Sequence, residues 1–272
     1  MKTIKARHKL VPAIIMLIVA AITMSTASYA WFTMSNRVEV TGINLEVVAP
    51  TNILIRQGGT SNAFANAVSV STLNPTGKLS HASSTDGISM ITVEDAINGV
   101  DVDGYLITGT TLVATTTQVA GTDGFFLDYP LELVNTGGND VQVGLDNLSI
   151  SPVASSAAGT TILNAVRFAI LNESKEISFG VFSIDGHDIT DAYQGDAVTT
   201  SIQTTETTKA NMFVLQSDGV ADTTAPEEAV TVVVRVWIEG QDPDCVSLNA
   251  GSKFAISFNL YVSDEASEGE NF

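Results

Sequence analysis

Alternation of apolar and polar residues is the dominant pattern after residue 31. In Val230–Glu239 every second residue falls on one face and is apolar: Val230, Val232, Val234, Val236 and Ile238. Lys253–Val262 repeats the pattern with Phe254, Ile256, Phe258, Leu260 and Val262. An earlier run carries Val38, Val40, Ile43, Leu45 and Val47, and continues to Ile53 and Ile55 after a turn at Ala49-Pro50-Thr51. A period of two predicts strands with one face against a second layer.

Further strands are predicted at Tyr129–Val134, Val141–Ile150, Asn164–Leu171, Ile177–Ile184 and Met212–Leu215. The first two are joined through residues 135–139 (NTGGN), which indicates a hairpin-type turn. Asn164–Leu171 also has some helical character. One helix is predicted over Ile91–Gly99, because Glu94 and Asp95 lie in its first turn and Gly99 can end it.

Gly-, Ser-, Thr- and Asn-rich stretches separate these runs and predict surface loops, edge strands or insertions. Many short strands with turns between them indicate an all-β fold, a β-sandwich or jelly roll with long loops and one short helix. Residues 57–124 have few long apolar side chains, so we expect an insertion or small subdomain there.

The first thirty residues have the organisation of an export segment. Lys2, Lys5, Arg7 and Lys9 precede the apolar run Leu10–Thr23, and Ser28-Tyr29-Ala30 provides a small-x-small site. This pattern predicts a signal peptide over residues 1–30, cut between Ala30 and Trp31, and an exported domain over 31–272. The alternative is an uncleaved N-terminal helix that anchors the protein in the bacterial membrane.

Charge is divided along the chain. The formal net charge is −18, but four of the 12 basic residues precede Leu10, so residues 31–272 carry eight basic and all 30 acidic residues, a net of −22. With 44% hydrophobic residues the chain has enough apolar side chain for a core, which argues against a disordered acidic tail. The absence of a basic surface argues against nucleic acid as a partner.

Catalytic motifs are missing from the sequence. There is no HExxH, GxSxG or Walker A pattern, and the three histidines are His8, His81 and His187. Cys245 is the single cysteine and cannot form an intramolecular disulfide; an intermolecular disulfide or a Cys–His pair is conceivable, but a small buried residue is the simpler interpretation. The sequence therefore predicts no enzyme and no cofactor.

Acidic loops offer one candidate metal site. Asp101 and Asp103 form one group and Asp185, Asp188 and Asp191 another, both in a Gly-rich context with hard oxygen ligands that would suit weak calcium binding. Neither group matches the EF-hand spacing, and solvated turns are the simpler interpretation. Asp242-Pro243-Asp244 predicts a turn after a strand.

Three segments carry a resemblance to a known group of proteins. Ser28–Thr33 (SYAWFT) resembles the junction cut by SipW-type signal peptidases of Firmicutes, and Asp128–Gly138 (DYPLELVNTGG) is similar to a strand followed by Asn-x-Gly in the TasA/camelysin group. Trp237–Cys245 (WIEGQDPDC), with the final strand, resembles the C-terminal part of Firmicutes surface proteins that carry the same signal. Together these segments cover about a fifth of the chain.

The resemblance implies a jelly roll, a cell-surface or matrix location, and fibres in which the mature N-terminal strand completes the sheet of the next subunit. By analogy the donor strand lies in Trp31–Val48, with Val38, Val40, Ile43, Leu45 and Val47 as its apolar residues. An edge strand folded into its own sandwich is the alternative. The activity named for camelysin in the wider family has no visible metal-binding basis here.

Two functions follow as expectations. The first is an exported structural protein of the cell surface, extracellular matrix or biofilm that self-associates into fibres. The second is a secreted or membrane-tethered β-sandwich module that binds a ligand or carbohydrate, for which Trp237 and Phe258 are candidate aromatic contacts, although alternating strands more often bury such residues.

Overall fold

A computed structural model describes Met16 and residues 40–50, 52–70, 79–94, 111–118, 124–153, 162–184, 189–194, 199–217, 219, 229–245 and 252–265. The predicted signal segment therefore lies outside the described residues apart from Met16. Within the described part of the chain, no helix is both long and apolar enough to cross a bilayer.

Fourteen strands and one four-residue helix make up the described secondary structure. The strands are β1 (Val40–Val48), β2 (Ile53–Gln57), β3 (Ala67–Val70), β4 (Met90–Glu94), β5 (Thr111–Thr115), β6 (Phe126–Asn135), β7 (Val141–Pro152), β8 (Val166–Asn172), β9 (Ser178–Phe182), β10 (Ile189–Gln194), β11 (Thr199–Gln203), β12 (Lys209–Leu215), β13 (Val230–Ile238) and β14 (Ser252–Glu265). The helix α1 (Ile162–Ala165) leads directly into β8.

Two five-stranded sheets form a β-sandwich, as the alternation predicts. The first sheet has the order β12-β7-β14-β1-β3, and the second has the order β2-β6-β13-β8-β9. Two small hairpins, β4–β5 and β10–β11, accompany them. The all-β sandwich predicted from the sequence is confirmed.

The main core lies between the two sheets. It takes the inward residues of each strand, including Ile43, Leu45 and Val47 of β1 and Phe254, Ile256 and Phe258 of β14. Alternation thus identifies the inward face correctly, because successive side chains of a strand point to opposite sides of the sheet.

A second, smaller core covers the outer face of the second sheet. Trp237 and Val233 of β13 pack there with Ala82 and Met90 from the covering segment, residues 79–94. Because of this cover, β13 is buried on both faces from Val232 to Ile238, whereas its alternation predicts burial on one face only. The range 57–124 therefore contributes both this cover and β3, which belongs to the first sheet.

The prediction of a helix over Ile91–Gly99 is wrong for residues 91–94, the part of this range that the structure describes. Residues 90–94 form β4, which pairs antiparallel with β5 through Thr92 and Val113. The β-branched run Ile91, Thr92 and Val93 suits a strand, and a partner about twenty residues away outweighs the local helix signals. The one short helix of the described chain is α1 instead.

The hairpin predicted between β6 and β7 is also wrong, because the two strands belong to different sheets. The side chain of Asn135 holds this inter-sheet turn: its Oδ1 accepts from Gly137 N at 2.9 Å, and its Nδ2 donates to Asn139 O at 2.9 Å. Turn residues of this kind indicate a reversal of the chain but do not specify which strands it joins.

Segments that connect one sheet to the other pair with both edge strands of the second sheet. Ala65, just before β3, exchanges backbone hydrogen bonds with Ile55 of β2 at 2.7 and 3.0 Å. On the other side, Glu206 N donates to Val181 O of β9 at 3.0 Å before the chain enters β12. Edge strands of the second sheet are thereby partly paired.

Candidate functional site

The predicted donor strand occupies an interior position of the first sheet. β1 lies between β14 and β3, and Ile43, Leu45 and Val47 are at most 1% exposed in the main core. Val40 begins the strand opposite Ser252, while Val38 lies outside the described residues, as do Ala30 and Trp31. In this single chain β1 completes its own sandwich, but as an interior strand rather than as the edge strand of the alternative interpretation.

β1 and β14 form the one parallel pair among the described main strands, with Leu45 opposite Ile256. They are the first and last of the described strands, so the connection between these two parallel strands is made by the rest of the described body and not by a single crossover helix. β1 joins the rest of the chain through residues 49–52, where Pro50 O accepts from Asn66 Nδ2 and from Ile53 N, both at 3.1 Å. A four-residue connection therefore separates β1 from the second sheet.

A buried polar site lies where the covering segment crosses the end of β13. We call it the carboxylate cluster, and its members are Ser83, Arg167, Gln203, Glu239 and Asp242, each at most 5% exposed. The covering segment continues the second sheet here, since Ala82 N donates to Ile238 O at 3.0 Å and Gly240 N donates to Ala82 O at 2.9 Å. This parallel bridge places Ala82 beside Glu239 and holds the cluster under the covering segment.

Glu239 accepts hydrogen bonds from several donors. Its Oε2 accepts from Gln203 Nε2 at 2.8 Å and from Trp237 Nε1 and Ser84 N at 3.2 Å each. Its Oε1 accepts from Gln241 N at 3.2 Å, and the Ser83 side chain also hydrogen-bonds to the carboxylate. A buried carboxylate requires such partners, because an unsatisfied one carries a large desolvation cost.

Arg167 provides the positive charge of the cluster. Its Nε donates to Gln203 Oε1 at 2.9 Å and its Nη2 to Asp242 Oδ2 at 2.8 Å, while Nη1 donates to the carbonyls of Asn164 and Val166. The Gln203 amide therefore links the guanidinium to Glu239. Asp242 lies in the predicted turn, which the backbone bond from Cys245 N to Asp242 O at 2.9 Å closes.

Burial dominates the electrostatics of this region. It raises the pKa of Glu239, against the effect of the donors around it, and it raises the pKa of Asp242 against the effect of Arg167. Burial also raises the pKa of the Cys245 thiol, with Glu239 and Asp242 adding to the shift. Cys245 is 2% exposed and stays protonated, so it does not have the properties of a nucleophile or of an accessible disulfide partner.

His81 lies at the margin of the cluster. Burial lowers its pKa, and among the described residues its Nδ1 is a buried atom with no hydrogen-bond partner. Its ring is close to the turn, since a Cβ built on Gly240 would be 2.9 Å from His81 Cδ2. His187, the other histidine after residue 31, lies outside the described residues.

A second charged group is held on the same face of the second sheet. Arg235 of β13 pairs with Asp128 of β6 through Nε–Oδ1 at 2.7 Å and Nη2–Oδ2 at 2.9 Å, and Lys175 Nζ lies 2.8 Å from Asp128 Oδ2. The guanidinium also sits 4.1 Å from the ring centroid of Phe126. Two positive charges here face one carboxylate, and the group holds the covering segment to the sheet.

The candidate calcium ligands remain a prediction. Asp101, Asp103, Asp185 and Asp188 lie outside the described residues, and Asp191 belongs to β10, although its side chain is not described. Among the residues that the structure describes, no group of three or more His, Cys, Asp or Glu side chains could hold a metal ion.

The aromatic candidates for carbohydrate binding are buried. Trp237 is 0% exposed in the second core, and Phe258 is 1% exposed and stacks on Phe168 with ring centroids 5.3 Å apart. Neither side chain is available to a carbohydrate in this arrangement.

Sequence reasoning did not find the carboxylate cluster. Arg167 and Glu239 could have been noticed as charges in or next to apolar strands, because a charge in a buried strand needs a partner. Gln203 lies in one of the polar stretches predicted as surface loops, edge strands or insertions, and no local signal distinguishes it. Comparison with protein-family models, with curated proteins and with solved structures finds no match for this chain.

Proposed function

We propose that this protein is an exported structural component of the cell surface or extracellular matrix, and that its subunits assemble into fibres by exchanging β1. The observation that carries the proposal is the position of β1. This N-terminal strand has its apolar face fully buried, pairs in parallel with the last strand, and is joined to the body by residues 49–52.

Strand exchange would keep all of these contacts. The β1 of one subunit would pair with β14 and β3 of the next, through the same main-chain hydrogen bonds and the same core sites for Ile43, Leu45 and Val47. Exchange of an identical element between protomers costs little, because the contacts formed between chains equal those lost within a chain. A subunit that gives β1 to one neighbour and receives it from another forms an open chain, which is a fibre.

The edges of the second sheet favour exchange over simple addition of a strand. The backbone bonds of Ala65 to Ile55 and of Glu206 to Val181 occupy part of those edges. Short edge strands and covered edges are ways in which β-proteins avoid uncontrolled pairing. Replacement of β1 uses a site that is already shaped for this strand.

A pair of cysteines can distinguish pairing within a chain from pairing between chains. Glu46 lies opposite Ser257 across the β1–β14 pair, on the face away from the core. In the double variant Glu46→Cys, Ser257→Cys, exchanged subunits should form disulfides between chains and give a ladder of covalent multimers on a non-reducing gel. The buried Cys245 thiol remains in place.

The matched control shares one of the two positions. Ser149 of β7 lies opposite Ser257 on the other side of β14, and exchange of β1 leaves this pair within one chain. The variant Ser149→Cys, Ser257→Cys should therefore give only monomers, each with a disulfide inside its own chain. The proposal would be contradicted if both variants gave only monomers with an intrachain disulfide. The protein would then also stay monomeric at all concentrations in electron micrographs and in sedimentation.

Export is tested separately by N-terminal sequencing of the secreted protein. Cleavage of the predicted signal places Trp31 at the new N-terminus and leaves β1 within twenty residues of it. A protein that retains residues 1–30 would be anchored in the membrane instead. A soluble monomer that binds a ligand would favour the alternative function, a secreted binding module.

A further inference from the structure

The sequence contains two Asn-x-Ser tripeptides, or sequons, of the kind that N-glycosyltransferases recognise. Residues 147–149 (NLS) lie in β7, and residues 172–174 (NES) lie where β8 ends and the loop to β9 begins. A third tripeptide, residues 74–76 (NPT), has proline in the middle position, which excludes it as an acceptor. A glycosylated asparagine belongs on the surface of an exported protein. The fold therefore decides which sequon is presented in this way.

The sequon at residues 172–174 reaches into an exposed loop. β8 and β9 pair antiparallel, and residues 173–177 connect them. Glu173, Ser174 and Glu176 are exposed, and Lys175 has a positive φ of 63°, which is typical of a tight turn. An enzyme can approach this loop from solvent without opening either sheet.

The side-chain amide of Asn172 is held in place with one N–H to spare. Its Oδ1 accepts from Glu176 N at 3.0 Å and from Ile177 N at 3.1 Å, and its Nδ2 donates to Ser174 Oγ at 2.9 Å. A primary amide has two N–H groups, and one of them makes the contact with Ser174. A sugar in place of the other hydrogen would leave these three hydrogen bonds intact.

The sequon at residues 147–149 is built into the first sheet. Ser149 lies opposite Ser257 in the β7–β14 pair, and Leu148 packs against the main core. Asn147 is exposed, but its φ of 50° falls where the register of this pair shifts. An enzyme that binds the whole tripeptide would have to separate β7 from β14 and take Leu148 out of the core. The same motif is thus accessible in the loop and inaccessible in the folded strand.

We propose that Asn172 is an N-glycosylation acceptor and that the folded sheet excludes Asn147. The donor is an oligosaccharide joined through a phosphate to a membrane lipid, and a transferase of the producing organism catalyses the step. Nδ2 of Asn172 forms a bond to C1 of the first sugar as the bond from C1 to the phosphate oxygen breaks. The lipid phosphate leaves, one Nδ2 proton goes to a base of the transferase, and no atom changes its oxidation state. The inference rests on the proposed export, because sequons are modified in exported proteins.

Mass spectrometry of the protein purified from its own organism tests the proposal. After trypsin digestion, the peptide Phe168–Lys175 contains Asn172 and the peptide Leu79–Arg167 contains Asn147. We expect the first peptide to carry a glycan that fragmentation places on Asn172, and the second to have the mass of its sequence. An unmodified Phe168–Lys175 in exported protein overturns this inference and leaves the fibre proposal standing. A glycan on Asn147 overturns the selection by the fold, and a protein retained in the cytoplasm overturns both proposals.

Hydroxyl variants show whether the sequon itself is read. Ser174→Ala keeps the two turn bonds to Asn172 Oδ1 and should abolish the glycan on Phe168–Lys175, whereas Ser174→Thr should retain it. Ser149→Ala is the matched control, because it removes the hydroxyl of the other sequon and should leave the glycan on Asn172 unchanged. A glycan that persists in Ser174→Ala, or that is lost in Ser149→Ala, overturns the assignment. The mass of the unaltered protein decides the proposal even if a variant fails to fold.

Discussion

Removing one partner of the ion pair between Arg235 and Asp128 should lower the free energy of unfolding strongly. Their side chains are 7% and 4% exposed, and two short hydrogen bonds join them. In the variant Asp128→Asn the guanidinium keeps the carbonyls of Gly87 and Ile88 at 3.2 and 3.1 Å but loses its buried countercharge. Breaking a buried pair in this way costs about 3–5 kcal/mol of unfolding free energy.

The same strand carries a matched control. Glu132 lies on the same face of β6 as Asp128 and pairs with Arg56 directly across the strand pair. Its geometry is comparable, since Arg56 Nε donates to Glu132 Oε2 at 2.6 Å, but the two side chains are 28% and 17% exposed. Solvent screens a pair of this kind, so Glu132→Gln should cost about 0–1 kcal/mol.

Urea denaturation followed by tryptophan fluorescence, to which the buried Trp237 contributes, measures both variants. We expect the midpoint of Asp128→Asn to fall well below that of Glu132→Gln with similar slopes, because both retain the fold. Arg235→Met in the Asp128→Asn background should recover part of the loss, since it removes the uncompensated charge. Equal costs for Asp128→Asn and Glu132→Gln would refute the argument from burial.

Three further outcomes follow from the described geometry. Gly87→Ala should cost about 2–4 kcal/mol in denaturant unfolding, because its Cβ would lie 2.3 Å from the Cβ of Ala169 at a φ of +79°; Gly59→Ala, at a φ of +70° with nothing within 4 Å, should cost only about 1 kcal/mol. Leu45→Ala should lower the unfolding free energy by about 2–5 kcal/mol, because the side chain is fully buried; a cost below 1 kcal/mol would contradict its place in the core. Burial lowers the pKa of His81, so the unfolded chain takes up a proton that the folded chain does not once the pH falls through about 6.5; unfolding free energy measured from pH 7.5 downward should decrease by up to about 1.4 kcal/mol per pH unit, and His81→Phe should lack this component.

The period-two alternation of apolar residues correctly predicted which residues of a strand face the main core. The inward residues of β1, β13 and β14 are those that the alternation places on one side, because the pleat fixes this relation locally. It was less informative for the outer face of β13, where the apolar Val233 and Trp237 needed a cover that the sequence does not locate. The helix predicted at residue 91 failed for a related reason, since pairing with β5 is not visible in the local sequence.

The sequence by itself determined the all-β class, the inward face of the main strands and the turn at Asp242, because these depend on neighbours within a few residues. Only the tertiary structure decided that β1 pairs in parallel with the last strand, and that β6 and β7 lie in different sheets. It also brought Arg167, Gln203 and Glu239 together from three distant parts of the chain. Strand partners and buried polar contacts depend on how whole layers pack, because a charge that is removed from water needs a partner of opposite charge or hydrogen-bonding groups. Those partners lie far away in the chain, so a local sequence pattern does not predict them.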